Sequence, residues 1–175
     1  MVLLCGCTSS ERGIDSVHLL RNKIANANGC KFTVVITADY SNVIYTFKMI
    51  CETDGTGDLT FEVIEPESIQ GITGCVSKEN GKLTFDDKVL LFATIAEGQL
   101  TPVSAPWVFM NALSGGYISG CTTEKEDLLV YIRDSYAENA LKLTVRIVDD
   151  LPVCVEIYWN NQRTVTLSVE DFCFL

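Results

Sequence analysis

His18 is the single histidine among 175 residues, so any scheme that needs an imidazole has to start from it. A Ser–His–Asp or Cys–His arrangement would have to use this residue. It falls on or beside an apolar stripe of Ile14, Val17, Leu20, Ile24 and Ala27 at helical spacing, with no nucleophile motif beside it, and reads as a packing or surface residue. Gly55-Thr56-Gly57 lacks the third glycine of a dinucleotide loop and opens no helix. The eight cysteines contain no Cys-x-x-Cys pair, which argues against zinc. Glu65, Glu67 and Asp86-Asp87 sit at turns, where solvated charge is the ordinary explanation. No catalytic constellation, metal site or cofactor loop can be assembled, and the chain is expected not to be an enzyme.

The chemistry that remains is at the N-terminus. Leu4-Cys5-Gly6-Cys7 resembles a bacterial lipobox, in which cleavage before the cysteine leaves a thiol that carries diacylglycerol. Thr8-Ser9-Ser10 follows as a polar tether, so Cys7 is the expected lipid-attachment residue. A chance apolar N-terminus with two cysteines is the plain alternative. Three residues before the box are too few for a charged and an apolar leader region, so the sequence is expected to begin inside a longer signal. Residues 1–9 then read as signal remnant and tether, and 10–175 as a single domain. No later stretch approaches 18 uninterrupted apolar residues, so no spanning helix is expected.

Composition limits the partners. With 47% apolar and 21% charged residues the chain buries a real core and is not disordered. Thirteen basic against 23 acidic residues give a net charge of −10, which opposes nucleic-acid binding and docking on anionic lipid through a polybasic patch.

The elements follow from period and punctuation. A helix capped by Ser9 or Ser10 and ended by Gly29 feeds a hairpin from Cys30 to Cys51 around Asp39-Tyr40-Ser41-Asn42. With Tyr40-Ser41 at the tip, Phe32 faces Met49, Val34 faces Phe47, Ile36 faces Tyr45, and Cys30 faces Cys51. That last pair is either a cross-strand disulfide or two buried thiols packed as small hydrophobes. Cys75, Cys121, Cys154 and Cys173 find no opposite cysteine in the expected registers. Strands are expected at Leu59–Val63, on both sides of Asn80-Gly81, and in four alternating runs from Leu128 to Val169. Three-residue loops at Asp149-Asp150 and Asn160-Asn161 would set Val145 against Val155 and Val155 against Leu167. Ser104-Ala105-Pro106 opens one short helix with Trp107, Met110 and Leu113 on one side, closed by Gly115-Gly116.

This order of elements, with the closing run Asp150-Leu151-Pro152-Val153 to Tyr158 and Arg163-Thr164-Val165 to Phe172, resembles the lipoprotein-carrier (LolA/LolB-like) superfamily over Ser10 to Leu175. The resemblance implies an α+β, mostly antiparallel fold: an unclosed β-barrel, or curved sheet, covered by an N-terminal and a short central helix. It also implies a lipidated, extracytoplasmic member of a bacterial envelope, holding lipid or a lipoprotein's acyl chains in its concavity. A sporulation- or germination-type lipoprotein that acts through contacts with an envelope protein is the alternative. The groove is expected to be lined by Phe32, Val34, Ile36, Tyr45, Phe47 and Met49, continued by Leu143, Val145, Val155, Ile157 and Leu167, with Trp107 and Met110 on the covering helix. Many strands offering one apolar face to two short helices leave room for a chain, and a mean hydropathy of +0.22 mildly favours this.

Overall fold

Alternation of apolar and polar side chains organises the chain into one sheet. The computed structural model describes residues 8–39, 43–77 and 100–175. After α1 (Thr8–Asn26) come β1 (Gly29–Asp39), β2 (Ile44–Asp54), β3 (Leu59–Glu65) and β4 (Thr73–Val76). Then follow α2 (Ala105–Gly115), β5 (Tyr117–Glu124), β6 (Asp127–Arg133), β7 (Lys142–Val148), β8 (Leu151–Trp159) and β9 (Gln162–Phe174). The nine strands form a single unclosed sheet in the order β4-β3-β2-β1-β9-β8-β7-β6-β5. All its pairs are antiparallel. The last strand therefore lies beside the first. Leu175 ties the two ends by accepting from Asn28 N and donating to the Gly29 carbonyl.

Two hairpins show how turn chemistry sets the register. Asp149 and Asp150, and again Asn160 and Asn161, have positive φ at both central positions, the conformation of a two-residue type I′ turn. These loops are tighter than the expected three-residue ones. A bulge next to each turn, between Arg146/Ile147 and between Ile157/Tyr158, restores the missing residue. Val145 consequently faces Val155, and Val155 faces Leu167, as the sequence suggests.

The first hairpin is different. Its faces are the expected ones, but its register is shifted by two residues: Phe32 opposes Cys51, Val34 opposes Met49, and Ile36 opposes Phe47. Cys30 stands opposite Thr53, and both Cys30 and Cys51 are buried free thiols, so the proposed disulfide is corrected. The physical reason is that a period-two pattern repeats after a shift of two, so apolar matching fixes the face and not the partner.

Other expectations are adjusted as well. Thr8 to Ser10, assigned to the tether, open α1. Gly29 is the first residue of β1 and not a helix cap; a Cβ there would collide with the Thr53 carbonyl oxygen. Ser104 does not cap α2 with its side chain. It closes a capping box with Thr101 across a short 3-10 turn, Pro102–Ser104, that leads into the helix. Strand β5 has no sequence signal, because its side chains are mostly polar and solvent-facing at the sheet's edge. The lipobox through Cys7 and the Asn80-Gly81 turn with the strand after it lie outside the described residues.

The two helices cover one face of the sheet. Helix α1 buries Val17 and Leu20 and crosses β5 and β6 at Gly13, where an added Cβ would meet Cys121 Sγ at 2.8 Å and Leu128 Cδ1 at 2.9 Å. Helix α2 is apolar almost all round and is buried accordingly, through Val108, Phe109, Met110, Ala112 and Leu113. Phe109 meets Phe32 edge-on at 6.0 Å, and Phe32 stacks on Phe172 at 5.6 Å.

Candidate functional site

The registers build the covered face as rows that run across strands. One row is Val130, Val145, Val155, Leu167, Ile36 and Phe47, from β6 through to β2. The next is Ile132, Leu143, Ile157, Val165, Ala38 and Tyr45. β-branched and leucine side chains fill directly opposed positions, where cross-strand contact is closest. The structure thus brings together eleven of the thirteen groove residues named from the sequence. Phe32, Val34, Ile36, Phe47, Met49, Met110, Leu143, Val145, Val155, Ile157 and Leu167 belong to one buried cluster.

Two residues depart from this. Tyr45 ends its row at the rim of the sheet and is 50% exposed. Trp107 packs on the margin of the cluster, and its indole N–H donates to the Gly57 carbonyl at 3.1 Å. The named residues are close-packed against α2 and each other, so the lining exists as a core in this conformation and not as an open trough.

Space appears at one end of this core. A cavity of about 300 Å³ lies between the C-terminal turn of α1, the start of β1, the β2–β3 turn and α2. Ile24, Cys30 and Met110 give it an apolar side, continuous with the core, while Arg21, Thr53, Asp54 and Asn111 give it a polar one. Of the residues expected to line a groove, only Met110 borders this opening. The cavity is assembled from three separated segments, 21–30, 53–57 and 110–114, which no local pattern announces. The Gly-rich turn Asp54–Asp58 was the one visible signal.

Three of the polar wall residues, Arg21, Thr53 and Asp54, are fixed by specific bonds. Arg21 donates to the carbonyls of Leu113 at 2.7 Å, Gly116 at 2.7 Å and Ala112 at 3.3 Å. It thereby satisfies the free carbonyl end of α2 and places a cation where the helix dipole is negative. Burial lowers its pKa from the ordinary arginine value. Asp54 Oδ1 accepts from Thr56 Oγ1, Thr56 N and Asp58 N, and the Thr56 hydroxyl, chiefly, holds its carboxyl below the usual range. Thr53 Oγ1 accepts from Cys30 N at 2.9 Å and so pins β1 to β2 on the cavity wall.

Burial pushes the thiols of Cys30 and Cys51 up, so neither is a ready nucleophile. His18 is exposed on α1. Among the described residues no group of three or more His, Cys, Asp and Glu side chains converges as a metal site would require, and no helix is long and apolar enough to cross a membrane.

No family model matches the chain, and no curated protein is significantly similar to it. Several solved structures are similar to it over most of its length. The chain is similar to a LolA superfamily protein of Nitrosomonas europaea at a TM-score of 0.49 and 8% identity, covering 97% of this chain and 94% of that one. It is similar to an uncharacterized conserved protein of Thermus thermophilus at a TM-score of 0.45 and 10% identity, covering 94% and 86%. It is also similar, at a TM-score of 0.41 and 8% identity over 94% and 92%, to a Vibrio parahaemolyticus domain described by outer membrane lipoprotein sorting.

Proposed function

We propose that this chain is an extracytoplasmic lipoprotein, anchored through Cys7, that takes lipid or a lipoprotein's acyl chain between its sheet and its helices. The observation that carries this reading is the cavity of about 300 Å³ whose apolar side, at Ile24, Cys30 and Met110, is continuous with the covered face of the sheet. A volume near the lower end of ligand pockets suits part of one chain. Each methylene moved from water into such a site contributes roughly 0.8 kcal/mol, so a few inserted carbons bind usefully. Deeper insertion requires α2 to yield, and Met110, with an unbranched side chain, is the wall residue best able to repack.

The test is displacement of a fluorescent fatty acid from the full chain. Saturable binding at one site per molecule is expected, competed by long-chain and not by short-chain acids. Absence of saturable binding removes the lipid-binding reading. Anchoring is checked separately, by the mass of the N-terminal peptide from protein expressed in a bacterial envelope. An unmodified Cys7 removes that part alone.

A further inference from the structure

The uncovered face of the sheet carries an arrangement that lipid binding does not use. Tyr117, Arg133, Lys142, Tyr158 and Arg163 are successive cross-strand partners on β5, β6, β7, β8 and β9. Three of the 13 basic residues of a chain with net charge −10 therefore fall in one row. Arg133 directly opposes Lys142, a juxtaposition of like charges that costs stability unless something compensates it.

Nothing among the described residues does. Arg133 donates to the Ala137 carbonyl at 2.7 Å, and Lys142 to Asn161 Oδ1 at 2.8 Å, so both cations rest on neutral oxygens. The buried Arg133 Nε has no acceptor at all. The nearby carboxylates are engaged elsewhere: Glu156 with Arg163 at 2.6 Å and Tyr158 at 2.8 Å, and Asp134 with Leu141 N at 2.9 Å. Both cations line a cleft of about 500 Å³, with Tyr131, Tyr158, Ser119 and Asn161 among its other walls.

The geometry points to a binding site for a small soluble phosphomonoester with a ring-shaped body, its dianion between Arg133 and Lys142 and its ring against Tyr131 and Tyr158. Two adjacent uncompensated cations call for about two negative charges, which a phosphomonoester carries at neutral pH and a carboxylate does not. Tyrosine walls supply rigid, amphipathic contact for a ring, and the cleft volume lies within the range of small-molecule sites. This site lies on the face opposite the proposed lipid cavity and does not depend on it.

Amide chemical shifts of the full chain, titrated with phenyl phosphate at pH 7.5, provide the test. Saturable shifts centred on Tyr131, Lys142 and Tyr158 are expected. Lys142→Gln should weaken the response about tenfold. Lys48→Gln, in a pair with Glu170 away from the cleft, should leave it unchanged. Benzoate, with one charge, should bind more weakly than phenyl phosphate. No saturable shift, equal affinity for benzoate, or full affinity in Lys142→Gln overturns the proposal. Binding to phosphatidic acid vesicles without binding to phenyl phosphate also overturns it, in favour of a membrane-docking face.

Discussion

At the scale of single residues, Arg21 and Asp54 hold the rim of the cavity by different means. The Arg21 guanidinium serves three carbonyls that close α2, so Arg21→Met keeps the stem and removes the bonds. Leaving partly buried carbonyls unpaired should cost roughly 2–3 kcal/mol in urea unfolding, and Arg21→Lys should recover only part of it. Asp54 works through its charge. Its folded pKa is depressed, so its contribution is fully present above the ordinary aspartate value and is lost as pH falls through the folded one. Asp54→Ala should therefore lower the urea midpoint at pH 7, and its gap from the native chain should close in acid below pH ~4. A gap that persists at low pH would mean that the carboxylate charge is not what orders the turn.

At the scale of elements, the sequence announces faces more clearly than partners. Leu59, Phe61 and Val63, or Leu143, Val145 and Ile147, declare a buried side because alternation is a local property. Register is not local, and Cys30 shows the consequence: its face was legible, but its partner was two residues away from the expected one. The pairing of β9 with β1 is further still from any local signal, since it joins the two ends of the domain. Helix α2 was legible in position and not in orientation. With nearly every side chain apolar, no stripe told that Phe109 points to Phe32 while Trp107 stays at the margin. Gly29 illustrates the same limit. The sequence marks it as a helix stop, but the structure needs it because the Thr53 carbonyl occupies the space of a Cβ. Gly29→Ala should accordingly push β1 from β2 and cost about 3 kcal/mol, well above a loss of turn propensity. Thermal unfolding within a degree or two of the native chain would show that the β1–β2 pair gives way freely there.

At the scale of the whole molecule, the sheet separates two environments, and the cavity lies where the covered one opens. The interior rows are filled by their own side chains. Val145, fully buried between Val130 and Val155, cannot accept a charge, and Val145→Glu should lose native far-UV circular dichroism and not merely ligand. That substitution therefore cannot report on binding; one at the opening can. Met110 is 5% exposed, borders the cavity of about 300 Å³, and extends from α2 toward the ends of α1 and β1. Met110→Trp places a large, rigid side chain in that space, at a cost of roughly 1–3 kcal/mol if neighbours must shift and less if the cavity absorbs it. The cluster beneath, from Phe32 to Leu167, stays intact in either case. If an acyl chain enters at this end, the fatty-acid displacement curve should shift at least about tenfold, equivalent to losing the burial of two methylenes. Circular dichroism should remain native. An unchanged displacement curve in a folded Met110→Trp protein would exclude entry between α1 and α2, and with it the cavity as the lipid site.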